Sequence, residues 1–180
     1  MQDDEILQST SFILHIRMST RGFTTIELLV ALLVIGLIGT FAAIEVNAAR
    51  GQARDAVRLS SVRQIQSGME NYFNQKNMYP PGTEGLALGI QETGCLGEEG
   101  FAAACTGATF LRSVPGAVTK GLGGLASCAG EPDAFCYISL QDNSTYRIQF
   151  ELEGAWPEAS LAKGLNCASP DGLTAGACRL

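Results

Sequence analysis

The sequence of 180 residues contains one histidine, His15, one tryptophan and only 17% charged residues. A single histidine close to the start argues against a histidine-based catalytic site and against a zinc site with histidine ligands. The 12 basic and 18 acidic side chains give a net charge of −6 at pH 7. This acidic balance argues against a protein that binds nucleic acid, because such proteins present basic surfaces to phosphates. The hydrophobic fraction of 46% excludes an intrinsically disordered chain.

One stretch of the chain, residues 26–46, is strongly apolar and has the sequence IELLVALLVIGLIGTFAAIEV. Within it, residues 28–44 form 17 consecutive positions without a charged side chain. A helix that crosses a bilayer needs about 20 apolar residues, so the run is near the short end of a membrane span. A cleaved secretory signal is the alternative, although its apolar core has only about 7–15 residues. The longer run, which continues into helical sequence, favours a membrane-spanning helix.

Glu27 places a carboxylate at the start of this apolar run. A charged side chain at the centre of a bilayer costs roughly 2.5–3.5 kcal/mol, so an ionisable residue in a span indicates a function that supplies a partner group. A position at the level of the lipid headgroups is the alternative interpretation.

Residues 21–30 are Arg-Gly-Phe-Thr-Thr-Ile-Glu-Leu-Leu-Val and lead directly into the apolar run. This string resembles the class III signal peptide of type IV pilins and type II secretion pseudopilins, and the resemblance is strongest over residues 21–54. It implies that a prepilin peptidase cuts between Gly22 and Phe23 and then methylates the new N-terminus, which makes Phe23 an N-methylphenylalanine. It also implies that Glu27, the fifth residue after the cut, pairs with the N-terminal ammonium of a neighbouring subunit. A carboxylate and an ammonium in apolar surroundings each need such a partner.

The leader implied by this cut, residues 1–22, departs from the short, basic leaders that are common in the family. Positions 3–5 are all acidic, whereas Met18 begins the short leader Met-Ser-Thr-Arg-Gly. We therefore expect Met18 to be the true start, with residues 1–17 reflecting a misassigned start codon.

The chain downstream of the apolar run keeps a helical pattern. Apolar side chains recur at three- and four-residue steps at Leu59, Val62, Ile65, Met69 and Tyr72. No proline follows until Pro80, so the pattern predicts one helix from about residue 23 to about residue 74. Its first half, residues 23–46, is apolar nearly all round. Its second half, residues 47–78, is amphipathic, and Arg58 belongs to its polar side.

Arg50, Arg54 and Arg58 recur every four residues and therefore share one face of the predicted helix. In the orientation that the family implies, they lie beyond the span, against the positive-inside rule. Two interpretations remain open. The arginines form a solvated face, or they pair with carboxylates such as Glu45 and Asp55 of neighbouring subunits.

The last part of the chain, residues 79–180, is predicted to form a small head with an antiparallel sheet. Strand patterns cover residues 134–140 and 145–152, separated by a turn composition. Alternation in the second strand assigns Glu151 to the exposed face. A third strand is expected around residues 160–166. The fold class is therefore α+β, and the resemblance implies a pilin fold in which the long N-terminal helix packs on the small sheet.

The glycine-rich segment between the helix and these strands, residues 79–133, shows little periodicity. We expect a long connection with short helical pieces near residues 101–104 and 108–114. Because so long a loop is uncommon in a compact domain, something must hold it in place.

Six cysteines, all downstream of the helix, are candidates for that role: Cys95, Cys105, Cys128, Cys136, Cys167 and Cys178. An even number in an exported domain indicates disulfides, whereas a metal site would need a close cysteine pair and histidines. Fifteen pairings are possible. We favour the sequential one, Cys95–Cys105, Cys128–Cys136 and Cys167–Cys178, because each bond closes a local loop.

The resemblance implies a structural subunit that polymerises into a type IV pilus or a pseudopilus fibre. Its partners would be other copies of itself, the prepilin peptidase, the pilus or secretion assembly platform and the inner membrane, with no direct nucleic-acid partner. The chain would cross the inner membrane once, with its head outside the cytoplasm, before it joins an extracellular pilus or a periplasmic pseudopilus. The alternative is a minor or tip subunit, or a membrane-tethered binding module for adhesion, DNA uptake or secretion. We expect no enzymatic activity, no cofactor and no metal.

Overall fold

A computed structural model of the chain describes residues 22–179. The predicted leader before Gly22 and the alternative start at Met18 therefore lie outside the described residues. The chain divides into two units between Ala42 and Ala43. Helix α1, Thr25–Lys76, belongs in part to each unit, and the sheets all belong to the second.

The predicted single long helix is confirmed, with 52 residues in α1. At its start, the Glu27 N–H donates a hydrogen bond to Thr24 Oγ1 at 3.3 Å, which satisfies one of the free N–H groups of the first turn. At its end, Asn77 adopts the left-handed conformation with a φ of 57° and donates its N–H to the Phe73 carbonyl. Asparagine tolerates this conformation well, so it terminates the helix shortly before Pro80.

Between the helix and residue 179, where the described part of the chain ends, there are ten short strands. They are β1 (Leu86–Leu88), β2 (Cys95–Gly97), β3 (Gly100–Ala102), β4 (Thr109–Leu111), β5 (Ser127–Cys128), β6 (Glu131–Pro132), β7 (Phe135–Leu140), β8 (Thr145–Leu152), β9 (Gly164–Ser169) and β10 (Gly172–Ala175). Two single 3-10 turns lie at Gln91–Thr93 and Pro157–Ala159.

The main sheet has the order β1-β7-β8-β9-β10, and all its neighbouring strands are antiparallel. Its central strand is β8, in which Ile148 lies opposite Tyr137 of β7 and Ala168 of β9. These inward side chains are fully buried and form one core with the apolar side of α1. The helix contributes Leu59, Val62, Ile65, Met69 and Tyr72. The α+β class and the helix packed on an antiparallel sheet, as in a pilin-like fold, are confirmed.

The segment before β7 is less irregular than expected. The helical pieces predicted near residues 101–104 and 108–114 are wrong, because these stretches contain β3 and β4 on either side of β2. The stretches are too short to recover the cost of starting a helix, whereas pairing with β2 satisfies their backbone groups at once. The third predicted strand begins later than expected, at Gly164, because Ser160 ends a 3-10 turn with a φ of 55°.

Candidate functional site

The first candidate site is the exposed apolar segment, defined as residues 23–46. Its large side chains are open to solvent along the whole segment, from Phe23 at 77% exposure to Phe41 at 69%. By length and composition, α1 is apolar enough to cross a membrane, and none of its apolar stretch is buried. Side chains of this kind are stable in lipid or against other apolar helices, and costly in water.

The predicted processing and assembly residues lie at the start of this segment. Gly22 and Phe23 are exposed and precede the first residue of α1. Glu27 is exposed in the first helical turn, and no basic side chain of the described residues forms an ion pair with it. A carboxylate near a helix N-terminus is favoured by the helix dipole, which leaves Glu27 ready to accept a further cation. Cleavage, methylation and subunit pairing stay predictions.

The second candidate site is a group of charged side chains in the second unit, the arginine cluster, which consists of Arg54, Asp55, Arg58 and Glu153. Arg54 forms a two-pronged contact with Glu153, with Nε 2.6 Å from Oε1 and Nη2 2.5 Å from Oε2. Arg58 places Nη1 2.6 Å from Asp55 Oδ1 and 2.8 Å from Glu153 Oε1. Asp55 completes the cluster by accepting the N–H groups of Glu153 and Gly154 at 3.0 and 2.9 Å.

These contacts correct both interpretations for Arg54, Arg58 and Asp55, whereas pairing of Arg50 with Glu45 of a neighbouring subunit stays a prediction. Arg58 is fully buried and Arg54 is half-buried, so neither belongs to a solvated face. Asp55 is buried as well and already engaged within its own chain, so it is not available to a neighbouring subunit. Arg50 is exposed, as a solvated position would be.

Glu153 is the carboxylate of the arginine cluster that contacts both Arg54 and Arg58. Hydrogen bonds from Arg54, and then from Arg58, lower the pKa of the Glu153 carboxyl to about 2, although burial acts in the opposite direction. The same hydrogen bond with Glu153 raises the pKa of the Arg54 guanidinium. Both groups therefore remain charged throughout the neutral and mildly acidic range.

The arginine cluster also holds the connection that precedes β5. Arg58 donates Nε to the Val118 carbonyl and Nη2 to the Lys120 carbonyl, both at 2.7 Å. Next along the chain, Glu151 accepts the N–H groups of Gly123 and Leu125, at 2.7 and 2.8 Å. Residues 118–126 are thus attached to α1 and β8 by side chains rather than by strand pairing.

Glu151 is a further correction to the sequence-based expectation. Alternation along β8 assigned it to the exposed face, but it is only 5% exposed. The alternation breaks at the end of the strand because the connection folds over Glu151 and supplies N–H donors to its carboxylate. A buried carboxylate is tolerated when hydrogen bonds of this kind replace water.

Three disulfide bonds fasten the head. Cys95–Cys105 joins β2 to the segment before β4, Cys128–Cys136 joins β5 to β7, and Cys167–Cys178 joins β9 to the end of the chain. This is the sequential pairing favoured from the sequence. Every cysteine is engaged in one of these bonds.

Among residues 22–179, no group of three or more His, Cys, Asp and Glu side chains is arranged to hold a metal ion. In comparisons with known proteins, no family model, no curated protein and no solved structure matches this chain.

Proposed function

We propose that this chain is a structural subunit of a type IV pilus or pseudopilus fibre, which polymerises through its exposed apolar segment. The observation that carries the proposal is the complete exposure of that segment on a chain whose second unit closes a core of its own. A segment of this composition needs either a bilayer or neighbouring helices. A subunit that leaves the membrane for a fibre exchanges the first environment for the second.

Glu27 is the residue that would set the register between subunits. In the fibre its carboxylate would pair with the N-terminal ammonium of mature Phe23 on a neighbouring copy. Its exposure and the absence of an ion pair among the described residues support this role, because the carboxylate has no competing partner. Away from water the carboxylate and the ammonium stabilise each other, because burying either charge without its partner carries a large desolvation penalty.

The mature N-terminus would be produced by a prepilin peptidase that cuts between Gly22 and Phe23 and methylates Phe23. Both residues are exposed ahead of α1, which supports access to the bond. The chain would cross the inner membrane once before assembly, with the assembly platform as its partner. Three disulfides support an oxidising location for the head outside the cytoplasm. The role proposed is structural and not enzymatic, with no cofactor and no nucleic-acid partner.

The proposal is tested by replacing Glu27 with Leu in cells that assemble fibres from the wild-type chain. Electron microscopy with an antibody against the head measures incorporation, and immunoblotting of the membrane fraction measures the supply of subunit. We expect Glu27→Leu to accumulate in the membrane at the wild-type level and to be lost from fibres. Mass spectrometry of wild-type fibres should find methylated Phe23 as the first residue.

The matched control is Glu45→Leu, since Glu45 is another exposed carboxylate of α1 near the opposite end of the apolar segment. We expect it to assemble normally, which separates a specific role of Glu27 from a general effect of charge on this helix. Normal incorporation of Glu27→Leu, or the absence of this chain from all wild-type fibres, would overturn the proposal.

A further inference from the structure

The outer face of the main sheet, opposite the core, carries a cleft between two disulfide-bonded segments. Its floor is formed by outward side chains of β7 and β8, where Ile138 lies opposite Arg147 and Cys136 lies opposite Gln149. One wall is the β5 segment, attached through Cys128–Cys136. The other is the end of the chain, attached through Cys167–Cys178. The cleft lies entirely in the second unit and shares no residue with the apolar segment or the arginine cluster.

Two opposite charges line this cleft without pairing. Among residues 22–179, Arg147 donates through Nη1 alone, to the Tyr146 carbonyl at 3.0 Å and to Thr145 Oγ1 at 3.5 Å. Glu84 lines the same cleft, and among the described residues it forms no ion pair with Arg147 or with any other basic side chain. Arg54 and Arg58 of α1, by contrast, bind carboxylates directly. The cleft therefore offers one cation and one anion to a molecule that enters it.

Gln149 adds a donor beside Arg147. Its Oε1 accepts the Cys178 N–H at 3.2 Å, which leaves the two hydrogens of its amide nitrogen for another group. A guanidinium with free N–H groups next to an amide donor matches the oxygens of a carboxylate. Ile138 and the Cys128–Cys136 bond supply apolar surface alongside these donors.

We infer that this cleft binds a small zwitterion with an apolar side chain, of the type of a free aliphatic amino acid. Arg147 and Gln149 hold its carboxylate, Glu84 holds its ammonium, and Ile138 contacts its side chain. The cavity volume of about 230 Å³ limits the ligand to this size, because pockets for drug-sized ligands have about 300–1,000 Å³. This binding does not depend on the proposed fibre, since the cleft is complete in one chain.

The experiment uses the full chain in detergent micelles, with isotope-labelled isoleucine methyl groups, and follows the Ile138 methyl signal during titration with L-leucine. Assignment of that signal comes from its loss in Ile138→Val. We expect a saturable shift with a dissociation constant on the order of 1 mM. Leucinamide, which lacks the carboxylate, and N-acetyl-leucine, which lacks the ammonium, are expected to bind at least about tenfold more weakly, a difference of about 1.4 kcal/mol.

Variants of the two charged residues give an independent measurement. Arg147→Gln and Glu84→Gln are expected to weaken leucine binding at least about tenfold. The control Arg112→Gln, which changes an exposed arginine outside the cleft, should leave binding unchanged. The absence of a saturable Ile138 shift in the wild-type chain would overturn the inference. So would equal binding of leucine and leucinamide, or an equal effect of Arg112→Gln and Arg147→Gln.

Discussion

Arg58 and Glu153 are 95 positions apart in the chain, yet Arg58 Nη1 lies 2.8 Å from Glu153 Oε1. This contact joins the amphipathic part of α1 to the end of β8, and the same guanidinium reaches the carbonyls of Val118 and Lys120. One fully buried side chain therefore holds a helix, a strand end and a connection together. Its four hydrogen-bond partners in the described part of the chain are all oxygen acceptors, so the guanidinium acts as a fixed internal cation.

Replacement of Arg58 with alanine is expected to lower the free energy of unfolding substantially. Arg58→Ala removes a donor from the buried carboxylate of Asp55 and from the partly buried hydrogen bonds to the Val118 and Lys120 carbonyls. Breaking a buried ion pair by removing one partner costs about 3–5 kcal/mol. The free energy of unfolding is measured by denaturant titration in detergent, with the fluorescence of the half-buried Trp156 as the signal. Arg50→Ala is the control, since Arg50 is exposed on the same helix and is expected to change stability by no more than about 0.5 kcal/mol. Equal effects of the two substitutions would contradict the structural role given to Arg58.

The low pKa of Glu153 predicts that its contribution to the free energy of unfolding is lost in acid. The folded-state pKa of about 2 lies below the ordinary value of 4.5, so the ionised carboxylate stabilises the folded chain above about pH 4.5. This contribution declines as the pH falls from about 4.5 to about 2, where the carboxylate becomes protonated in the folded state too. We expect the difference in unfolding free energy between wild type and Glu153→Gln to be constant near neutral pH and to shrink over that interval.

The measurement is a series of denaturant titrations of both proteins at several pH values between 7 and 2. Glu84→Gln is a suitable comparison, because Glu84 is exposed and makes no ion pair among the described residues. A difference between wild type and Glu153→Gln that stayed the same down to pH 2 would mean that folding does not lower the pKa of Glu153.

The long helix and the apolar segment could be predicted from the sequence, because both depend on local signals. The spacing of Leu59, Val62, Ile65 and Met69 fixes one helix face, and the absence of proline before Pro80 fixes its length. The sequential disulfides are predictable on local grounds as well. Each closes a loop between cysteines that follow one another in the chain.

The arginine cluster could not be predicted in the same way, because Arg54 and Arg58 lie on α1 whereas Glu153 follows β8, 99 and 95 positions later in the chain. The four-residue spacing of Arg54 and Arg58 places them on one face but does not say whether that face is covered. The signal available in retrospect is the pair Glu151 and Glu153 at the end of β8, on either side of the buried Leu152. Charges in such a place require buried partners, and only tertiary packing identifies them. Tertiary pairing likewise decided the conformation at β3 and β4, where strands paired with β2 stand in place of the expected helical pieces.

Two glycines of α1 are expected to respond in opposite directions to the same substitution. Alanine normally stabilises a helix interior by about 1 kcal/mol relative to glycine. At Gly51 the nearest atom to an added Cβ is Glu153 Oε2 at 3.5 Å, an ordinary contact, so Gly51→Ala should stabilise. At Gly68 an added Cβ would lie 2.5 Å from Leu111 Cδ1, so Gly68→Ala should destabilise by about 1–3 kcal/mol through overpacking.

Denaturant titration of Gly51→Ala and Gly68→Ala measures the change in the free energy of unfolding. A Leu111→Ala background then tests whether the Leu111 side chain causes the effect at Gly68. If the side chain of Leu111 is the obstacle, Gly68→Ala should cost less in a Leu111→Ala background than in the wild type. Stabilisation by Gly68→Ala would show that α1 does not approach β4 as closely as described.

The sequential disulfide pairing predicts that a tryptic digest contains each disulfide within a single peptide. Trypsin cuts after lysine and arginine, and each predicted pair lies between consecutive cut sites of the chain. Cys95 and Cys105 fall in the peptide 77–112, the second pair falls in 121–147, and the third falls in 164–179. Under non-reducing conditions, mass spectrometry should therefore find three separate peptides, each lighter by two hydrogens than its reduced form.

Any other pairing must link two of these peptides into a larger species, because it joins cysteines across a cut site. A linked species that separates on reduction would therefore contradict the pairing, and with it the attachment of the β5 segment and of the chain end that frames the cleft beside Arg147.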